Sequence, residues 1–150
     1  ATLVHYADLL RLAFLVLPLA KFSLKPHRTK RSLPKWLIPN PALVDLALRQ
    51  EGLRGFVFEN LVGSHLANLL YGKHRYEISY FREGNQEIDF IVTRQHEPVL
   101  AVEVKSGRVK KVLTQEALAQ KGITAKYLVI TPTNCQAILA TKSVEEIMAI

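Results

Sequence analysis

The chain alternates between two hydrophobic periodicities, and each predicts a different kind of element. Residues 2–13 carry apolar side chains at helical spacing, and residues 15–22 and 36–38 are β-like. The stretch between the two β-like segments contains Pro26 and Pro34, which argue against a helix there. The pattern therefore predicts a helix followed by a β-hairpin.

Two further helices are predicted before the central part of the chain. Asn40 and Pro41 favour the start of a short helix through residue 49, because asparagine caps a helix and proline fits its first position. Residues 52–70 carry the apolar stripe of a longer helix, which Gly72 ends. Glu59 lies beside this stripe and not opposite it.

The central part alternates with period two and predicts three antiparallel strands, at residues 76–81, 87–93 and 99–105. Gly84 and Asn85 suit the first of the two hairpin turns that join these strands.

The last third predicts a βαβ unit and a terminal piece. A helix at 114–120 leads to an apolar strand at 127–131, which we expect to be parallel to the strand at 99–105. Residues 137–140 are read as a short final strand, and residues 143–146 form a capping box that opens a terminal helix. The prediction is an α/β fold with a mixed sheet, in which residues 1–50 precede a domain of residues 51–150.

Composition narrows the class of protein. The chain has 150 residues, 49% of them hydrophobic, so it can bury a core. Its one cysteine, Cys135, excludes a disulfide framework and a cysteine-based zinc site, which fits a cytoplasmic setting. The apolar stretch at 12–24 is too short to cross a bilayer, so no membrane partner is expected. Because the chain begins with Ala1, we expect it to be part of a longer protein.

Positive charge is concentrated in the first third. Residues 1–50 carry eight Lys and Arg against two acidic residues, whereas residues 51–150 carry twelve against eleven. A helix followed by a hairpin with a basic tip is typical of the second half of a winged helix-turn-helix, which implies nucleic acid as a partner. The predicted phosphate contacts are Lys25, Arg28, Lys30, Arg31 and Lys35. The alternative is a surface hairpin with a solvated, charged tip.

Acidic residues interrupt two of the central strands. Strict alternation places Ile88, Phe90 and Val92 on one face and Glu87, Asp89 and Ile91 on the opposite one. The same rule puts Glu103 and Lys105 together on the next strand. We therefore expect Asp89 and Glu103 on one side of neighbouring strands, with Lys105 beyond them.

Two neighbouring carboxylates repel each other unless a proton, a cationic side chain or a metal ion compensates them. Mg²⁺ and Mn²⁺ prefer oxygen ligands, and Mg²⁺ needs few from the protein. Lys105 is placed to orient a water molecule or to neutralise charge on a phosphodiester. The alternative is an ordinary salt bridge of Lys105 with Glu103 or Asp89 on a solvated sheet face.

These residues carry a family resemblance. Glu59 on a helix, then Asp89, then Glu103-Val104-Lys105 resemble the PD-(D/E)XK nuclease-like signature. More specifically, the segments RGFVFEN at 54–60, EIDF at 87–90 and EVKS at 103–106 resemble the uncharacterised C-terminal domain of archaeal and bacterial AAA-type ATPases. The first forty residues match the leading segment of that domain, although Asn40 stands where it usually has Asp.

The resemblance implies a restriction-endonuclease-like fold, with Glu59, Asp89 and Glu103 as ligands of Mg²⁺ or Mn²⁺ and Lys105 as the catalytic lysine. It also implies an upstream ATPase module, because this chain has no GxxxxGK[ST] phosphate loop. Gln115 is either a polar neighbour of the metal site or an exposed helix residue.

Three functions follow as hypotheses. The first is a metal-dependent endonuclease acting on nucleic acid, with DNA favoured. The second is a catalytically inactive nucleic-acid-binding or regulatory module of the ATPase. The third is an interaction domain whose apolar helices dock the ATPase or another copy. The sequence leaves open whether the site is active, which nucleic acid it prefers and whether the protein is an oligomer.

Overall fold

The computed structural model describes residues 2–24, 32–47, 54–107 and 112–150. Its elements in chain order are α1 (Thr2–Leu12), β1 (Leu17–Lys21), β2 (Lys35–Leu37), α2 (Pro41–Ala47), α3 (Arg54–Leu70), β3 (Tyr76–Glu83), β4 (Gln86–Arg94), β5 (Glu97–Val104), α4 (Gln115–Gln120), β6 (Lys126–Ile130), α5 (Cys135–Leu139) and α6 (Val144–Ala149).

One predicted element is wrong. Residues 137–140, predicted as a strand, lie in helix α5 and its C-cap. The backbone N–H of Cys135 bonds the Thr131 carbonyl at 2.9 Å, so the chain turns into a helix directly after β6. A four-residue apolar run fits a strand and a buried helical turn equally well, and only Ile138 of α5 is buried.

The strands form one mixed sheet in the order β2-β1-β3-β4-β5-β6. The predicted hairpin is confirmed, because β1 pairs antiparallel with β2. The predicted βαβ unit is also confirmed, because β5 pairs parallel with β6 across α4. Strand β1 adds a parallel pairing with β3, through Ala20 and Lys21, that the sequence pattern does not predict.

The sheet buries a hydrophobic core on each face. On one face Val62 and Leu66 of α3 pack with Phe90 and Val102, and α5 and α6 complete this core. On the other face Leu118 of α4 belongs to the smaller core that contains Ile91 and Ala101. Buried apolar side chains on both faces explain why the central strands read as nearly continuous hydrophobic runs.

A β-bulge in β4 changes which way its side chains point. Ser79 pairs with Ile91, but Phe81 pairs with Ile88, so Tyr80 alone opposes both Asp89 and Phe90. The expected alternation is therefore wrong at one position. Ile88 lies in the α4-side core with Ile91, not on the face of Phe90. The extra residue in the bulge turns Asp89 towards the same face as Phe90, the face covered by α3.

Helix α3 approaches the sheet closely at Gly63. A β-carbon built there would lie 2.5 Å from the Phe90 ring and 2.7 Å from a methyl group of Leu37, distances that real side chains do not tolerate. Because Glu59 lies one helical turn before Gly63, this close approach also sets the distance between Glu59 and β4.

The predicted division of the chain near residue 50 falls in the segment 48–53, outside the described residues, and stays a prediction. Strands from both sides of that segment contribute to the same sheet. No helix in the described part of the chain has the length and apolar character needed to cross a membrane.

Candidate functional site

Three carboxylates surround the ammonium group of Lys35. Its Nζ lies 2.6 Å from Glu59 Oε1, 3.2 Å from Asp89 Oδ1 and 3.8 Å from Glu87 Oε1. It also lies 5.2 Å from the centre of the Phe90 ring, within cation–π range. We call these residues, Lys35, Glu59, Glu87 and Asp89, the Lys35 cluster. It joins β2, α3 and β4 through one cation.

Hydrogen bonds on both sides of β2 hold Lys35 in this position. The Tyr80 hydroxyl of β3 donates to the Leu33 carbonyl at 2.7 Å, which fixes the chain entering β2 across the sheet. After β2, the amide of buried Asn60 accepts from the Ile38 N–H and donates to the Ile38 carbonyl, both at 2.9 Å. These two hydrogen bonds tie the end of β2 to α3, next to Glu59.

The charges in the Lys35 cluster do not cancel. Burial raises the pKa of Glu59, the Asp89 charge raises it further, and Lys35 opposes both. Burial by itself lowers the pKa of Lys35, but the Asp89 and Glu59 carboxylates outweigh it, so the pKa of Lys35 is raised overall. Lys35 therefore stays protonated at neutral pH, while Glu59 accepts a proton more readily than an exposed glutamate.

A second group of polar side chains surrounds Glu103 of β5. Glu103 Oε1 lies 2.6 Å from the Lys105 ammonium, and Oε2 accepts a hydrogen bond from the Tyr127 hydroxyl. The Glu103 side chain is 6% exposed, whereas that of Lys105 is 34% exposed. Burial and then the Glu103 carboxylate raise the pKa of Tyr127 above its usual value, so Tyr127 is a neutral donor. We call Glu103, Lys105 and Tyr127 the Glu103 cluster.

The two clusters lie at the same end of the sheet. Asp89 Oδ2 accepts the Val104 N–H at 2.8 Å, so the Lys35 cluster is bonded to the strand residue that follows Glu103. A cleft of about 410 Å³ exposes Glu103 and Lys105 along one side and reaches Glu87. A second groove, of about 450 Å³, starts at Glu87 and Lys35 and continues past Arg82 and Lys21. Glu87 lines both openings.

The predicted site residues divide between the clusters. Glu59 and Asp89 share a cation, but Glu103 bonds Lys105 and Tyr127 instead. The expectation that Asp89 and Glu103 lie on one side of the sheet is wrong, because the bulge turns Asp89 towards the α3 face, whereas Glu103 lies with Tyr127 on the α4 face. In the described ranges no group of three or more His, Cys, Asp and Glu side chains is placed to hold a metal ion. Metal binding by Glu59, Asp89 and Glu103 and catalysis by Lys105 stay predictions.

The predicted phosphate contacts Lys25, Arg28, Lys30 and Arg31 lie outside the described residues. Lys35 is described, and its ammonium group points into the acidic cluster while its side chain also lines the groove with Lys21 and Arg82.

Sequence reasoning missed Tyr127 and Asn60. Tyr127 had no visible signal, because its partner Glu103 lies twenty-four residues earlier, on a parallel strand. Asn60 did have one, as a polar residue inside the apolar stripe of a long helix, where it is buried. Gln115 is an exposed residue of α4, which confirms the second of the two expectations for it. Its side chain accepts from the Tyr127 N–H at 3.0 Å and donates to the Ala125 carbonyl, which joins α4 to β6.

The fold and these clusters define an α/β domain with a six-stranded mixed sheet and a polar site at one end of β4 and β5. A family model described as a domain of unknown function, DUF4143, matches residues 54–147. The chain belongs to the DUF4143 family, a domain found at the C-terminus of AAA-ATPase-like proteins. No curated protein and no solved structure matches it.

Proposed function

We propose that this chain is a nuclease-like domain with a restriction-endonuclease-like fold, which binds Mg²⁺ or Mn²⁺ and acts on nucleic acid, with DNA favoured. The observation that supports it most is the convergence of two carboxylates, from α3 and β4, on a single cation. Glu59 and Asp89 lie 2.6 and 3.2 Å from the same nitrogen atom, and the Glu103–Lys105 pair adjoins them on β5.

The donor set fits a divalent ion in part. Mg²⁺ is commonly bound by one or two carboxylates together with water and substrate phosphate, and Glu59 with Asp89 provides two. The Lys35 ammonium is the stand-in cation that shows both oxygens aimed at one point. Glu103 has both oxygens bonded to Lys105 and Tyr127, so its role as a third ligand is the weaker part of the proposal.

A bound divalent ion would polarise a phosphate oxygen and lower the pKa of a water molecule. The chain itself supplies the remaining groups. Lys105, one-third exposed in the cleft beside Glu103, is placed to hold a water molecule or to neutralise charge on the phosphodiester. Lys21 and Arg82, in the adjoining groove, provide positive charge for neighbouring phosphates.

The test is cleavage of supercoiled plasmid DNA and of single-stranded RNA, with Mg²⁺ and then Mn²⁺, at high protein concentration. Wild type should cut, and Asp89→Asn, Glu103→Gln and Lys105→Met should each lose at least about a hundredfold in rate, as expected for loss of a catalytic group. Glu77→Gln, at an exposed carboxylate of β3, is the matched control and should cut like wild type. Intact substrates with wild type under all these conditions would exclude the nuclease.

A second candidate is a module that binds nucleic acid without cleaving it. It is favoured by the fact that Glu59, Asp89, Glu103 and Lys105 already have partners of opposite charge in this structure. It predicts salt-sensitive DNA binding without turnover, weakened by Lys30→Gln with Arg31→Gln and by Arg82→Gln. Equal binding by wild type and by these variants would exclude this candidate.

Residues 1–50 are proposed to form a winged-helix-like unit that contacts nucleic acid or the ATPase module of a longer, cytoplasmic protein. Its support is the order of α1 and the β1–β2 hairpin. Helix α1 buries none of its residues and exposes Leu3, Val4 and Leu12 by 67–83%. Such an apolar surface favours a protein partner, which includes a second copy of the chain.

A further inference from the structure

Lys35 differs from the other paired lysines in the number of carboxylates it contacts. Lys105 contacts Glu103, and Lys121 contacts Glu83 at 2.9 Å. Lys35 contacts three carboxylates. Among the described residues, one other cationic group lies within 4 Å of any of these carboxylates: Arg82, which is 3.9 Å from Glu87. Negative charge therefore exceeds positive charge around this one ammonium group.

The Lys35 ammonium lies between two carboxylates. Glu59 and Asp89 come from a helix and a bulged strand, and both direct one oxygen at it. The second oxygen of Asp89 is held by the Val104 N–H, so this carboxylate has a fixed orientation. Without a cation between them, two carboxylates in this partly buried place would repel each other.

We propose that Lys35 is a tethered counter-ion that occupies the cation position between Glu59 and Asp89, so that a divalent ion binds this pair only by displacing the Lys35 ammonium. The class of ion is taken from the proposed function, on which this inference rests. Lys35 thereby lowers the metal affinity of the domain and keeps the two carboxylates in place while no metal is bound.

The displaced ammonium has a place to go. The Lys35 side chain also lines the groove that contains Lys21, Tyr80 and Arg82, and it is 21% exposed. Strand β2 has only three residues and pairs only with β1 among the described strands. A rotation of the long lysine side chain can therefore move the charge towards solvent without breaking the core.

The experiment measures Mn²⁺ affinity by calorimetry and by the loss of the free Mn²⁺ EPR signal, for wild type, Lys35→Met and Lys121→Met. Lys121 is the matched control, because it also pairs with a glutamate and lies 5.9 Å from the centre of an aromatic ring, that of Phe81. Lys35→Met should bind Mn²⁺ at least about tenfold more tightly than wild type, because the variant has no ammonium group that competes with the ion. Lys121→Met should bind like wild type.

An affinity of Lys35→Met equal to or lower than that of wild type, or no Mn²⁺ binding by either protein, would overturn the inference. A second measurement needs no variant: NMR of the lysine ammonium groups during Mg²⁺ titration of the wild type. The Lys35 signal should shift with the binding curve and the Lys121 signal should not. Saturation with Mg²⁺ that leaves the Lys35 signal unmoved would equally reject the displacement.

The outcomes separate this inference from the proposed function. Tighter Mn²⁺ binding by Lys35→Met without cleavage of any nucleic acid would keep the counter-ion and reject the nuclease. Cleavage by wild type with unchanged Mn²⁺ affinity in Lys35→Met would support the nuclease and reject the counter-ion.

Discussion

The Lys35 cluster and the Glu103 cluster use similar chemistry but are built in different ways. The Glu103 cluster pairs Glu103 with a lysine two residues later and with Tyr127 on the neighbouring strand. The Lys35 cluster gathers residues 35, 59, 87 and 89 from two strands and a helix. The first depends on one strand pair, whereas the second depends on how β2, α3 and β4 pack. Disturbing that packing should therefore affect the Lys35 cluster more.

The largest effect is expected for Asn60→Ala. It leaves the Ile38 N–H and carbonyl without their partner in a partly buried place, and it releases β2 from α3. The loss in unfolding free energy should be roughly 2–4 kcal/mol, since each buried polar group left unpaired costs about 1–3 kcal/mol. Urea unfolding followed by circular dichroism measures it. Asn68→Ala, at an exposed position of the same helix, should change little, and equal losses for the two variants would contradict the prediction.

Gly63→Ala should come next. The added methyl group meets the Phe90 ring and Leu37, so α3 must move away from the sheet and take Glu59 with it. Overpacking of this kind costs about 1–3 kcal/mol. Gly107→Ala is the control, because a β-carbon there meets nothing within 4 Å. Thermal unfolding of both variants decides the point, and a Gly63→Ala protein as stable as wild type would show that the close approach is not required.

Asp89→Asn and Glu103→Gln compare the clusters directly. The Asp89 carboxylate serves both Lys35 and the Val104 N–H, and an amide has only one oxygen for these two donors. We expect Asp89→Asn to lose about 1–2 kcal/mol of unfolding free energy. Glu103→Gln should lose less than about 1 kcal/mol, because Lys105 is partly solvated and Tyr127 can still donate. Urea unfolding at pH 7.5 gives both values, and the opposite order would reject the difference drawn between the clusters.

The smallest effect is a pH dependence in the Glu103 cluster. Because the pKa of Tyr127 is raised on folding, its contribution to stability is complete below pH 10, the usual tyrosine pKa, and is lost as the pH rises towards the folded-state value. Tyr127→Phe should therefore lose less stability than wild type between pH 9 and pH 11. Unfolding free energies across this range measure it. Tyr71→Phe, at an 80% exposed tyrosine, should follow the wild-type curve. If Tyr127→Phe also follows the wild-type curve, the pKa of Tyr127 is not raised on folding.

Much of the fold was predictable from the sequence, because the hydrophobic period and the turn and cap residues indicate the elements. Gly84 and Asn85 marked the β3–β4 hairpin, and the β5–α4–β6 crossover followed from the order of apolar segments. Residues 137–140 were not predictable as helix, since four apolar residues fit either structure. The pairing of β1 with β3 joins residues about sixty positions apart, and no local pattern encodes such a contact.

The candidate site was predictable as a list of residues but not as an arrangement. The Glu103–Lys105 contact follows from strand alternation, because residues two apart share a face. The position of Asp89 did not follow, because the bulge opposite Tyr80 inserts one residue into the alternation. Lys35 was assigned to phosphate contacts from its position in a basic segment, and its ammonium group lies between Glu59 and Asp89 instead.

By itself the sequence determined most of the elements, the mixed α/β class, the family resemblance and the polar residues set into apolar strands. These depend on interactions between residues close in the chain, or on the two-residue and 3.6-residue periods. Only the tertiary structure decided which charges meet. A bulge in β4, the missing side chain at Gly63 and the bonds of Asn60 to Ile38 bring Lys35 between two carboxylates, because long-range packing sets those distances.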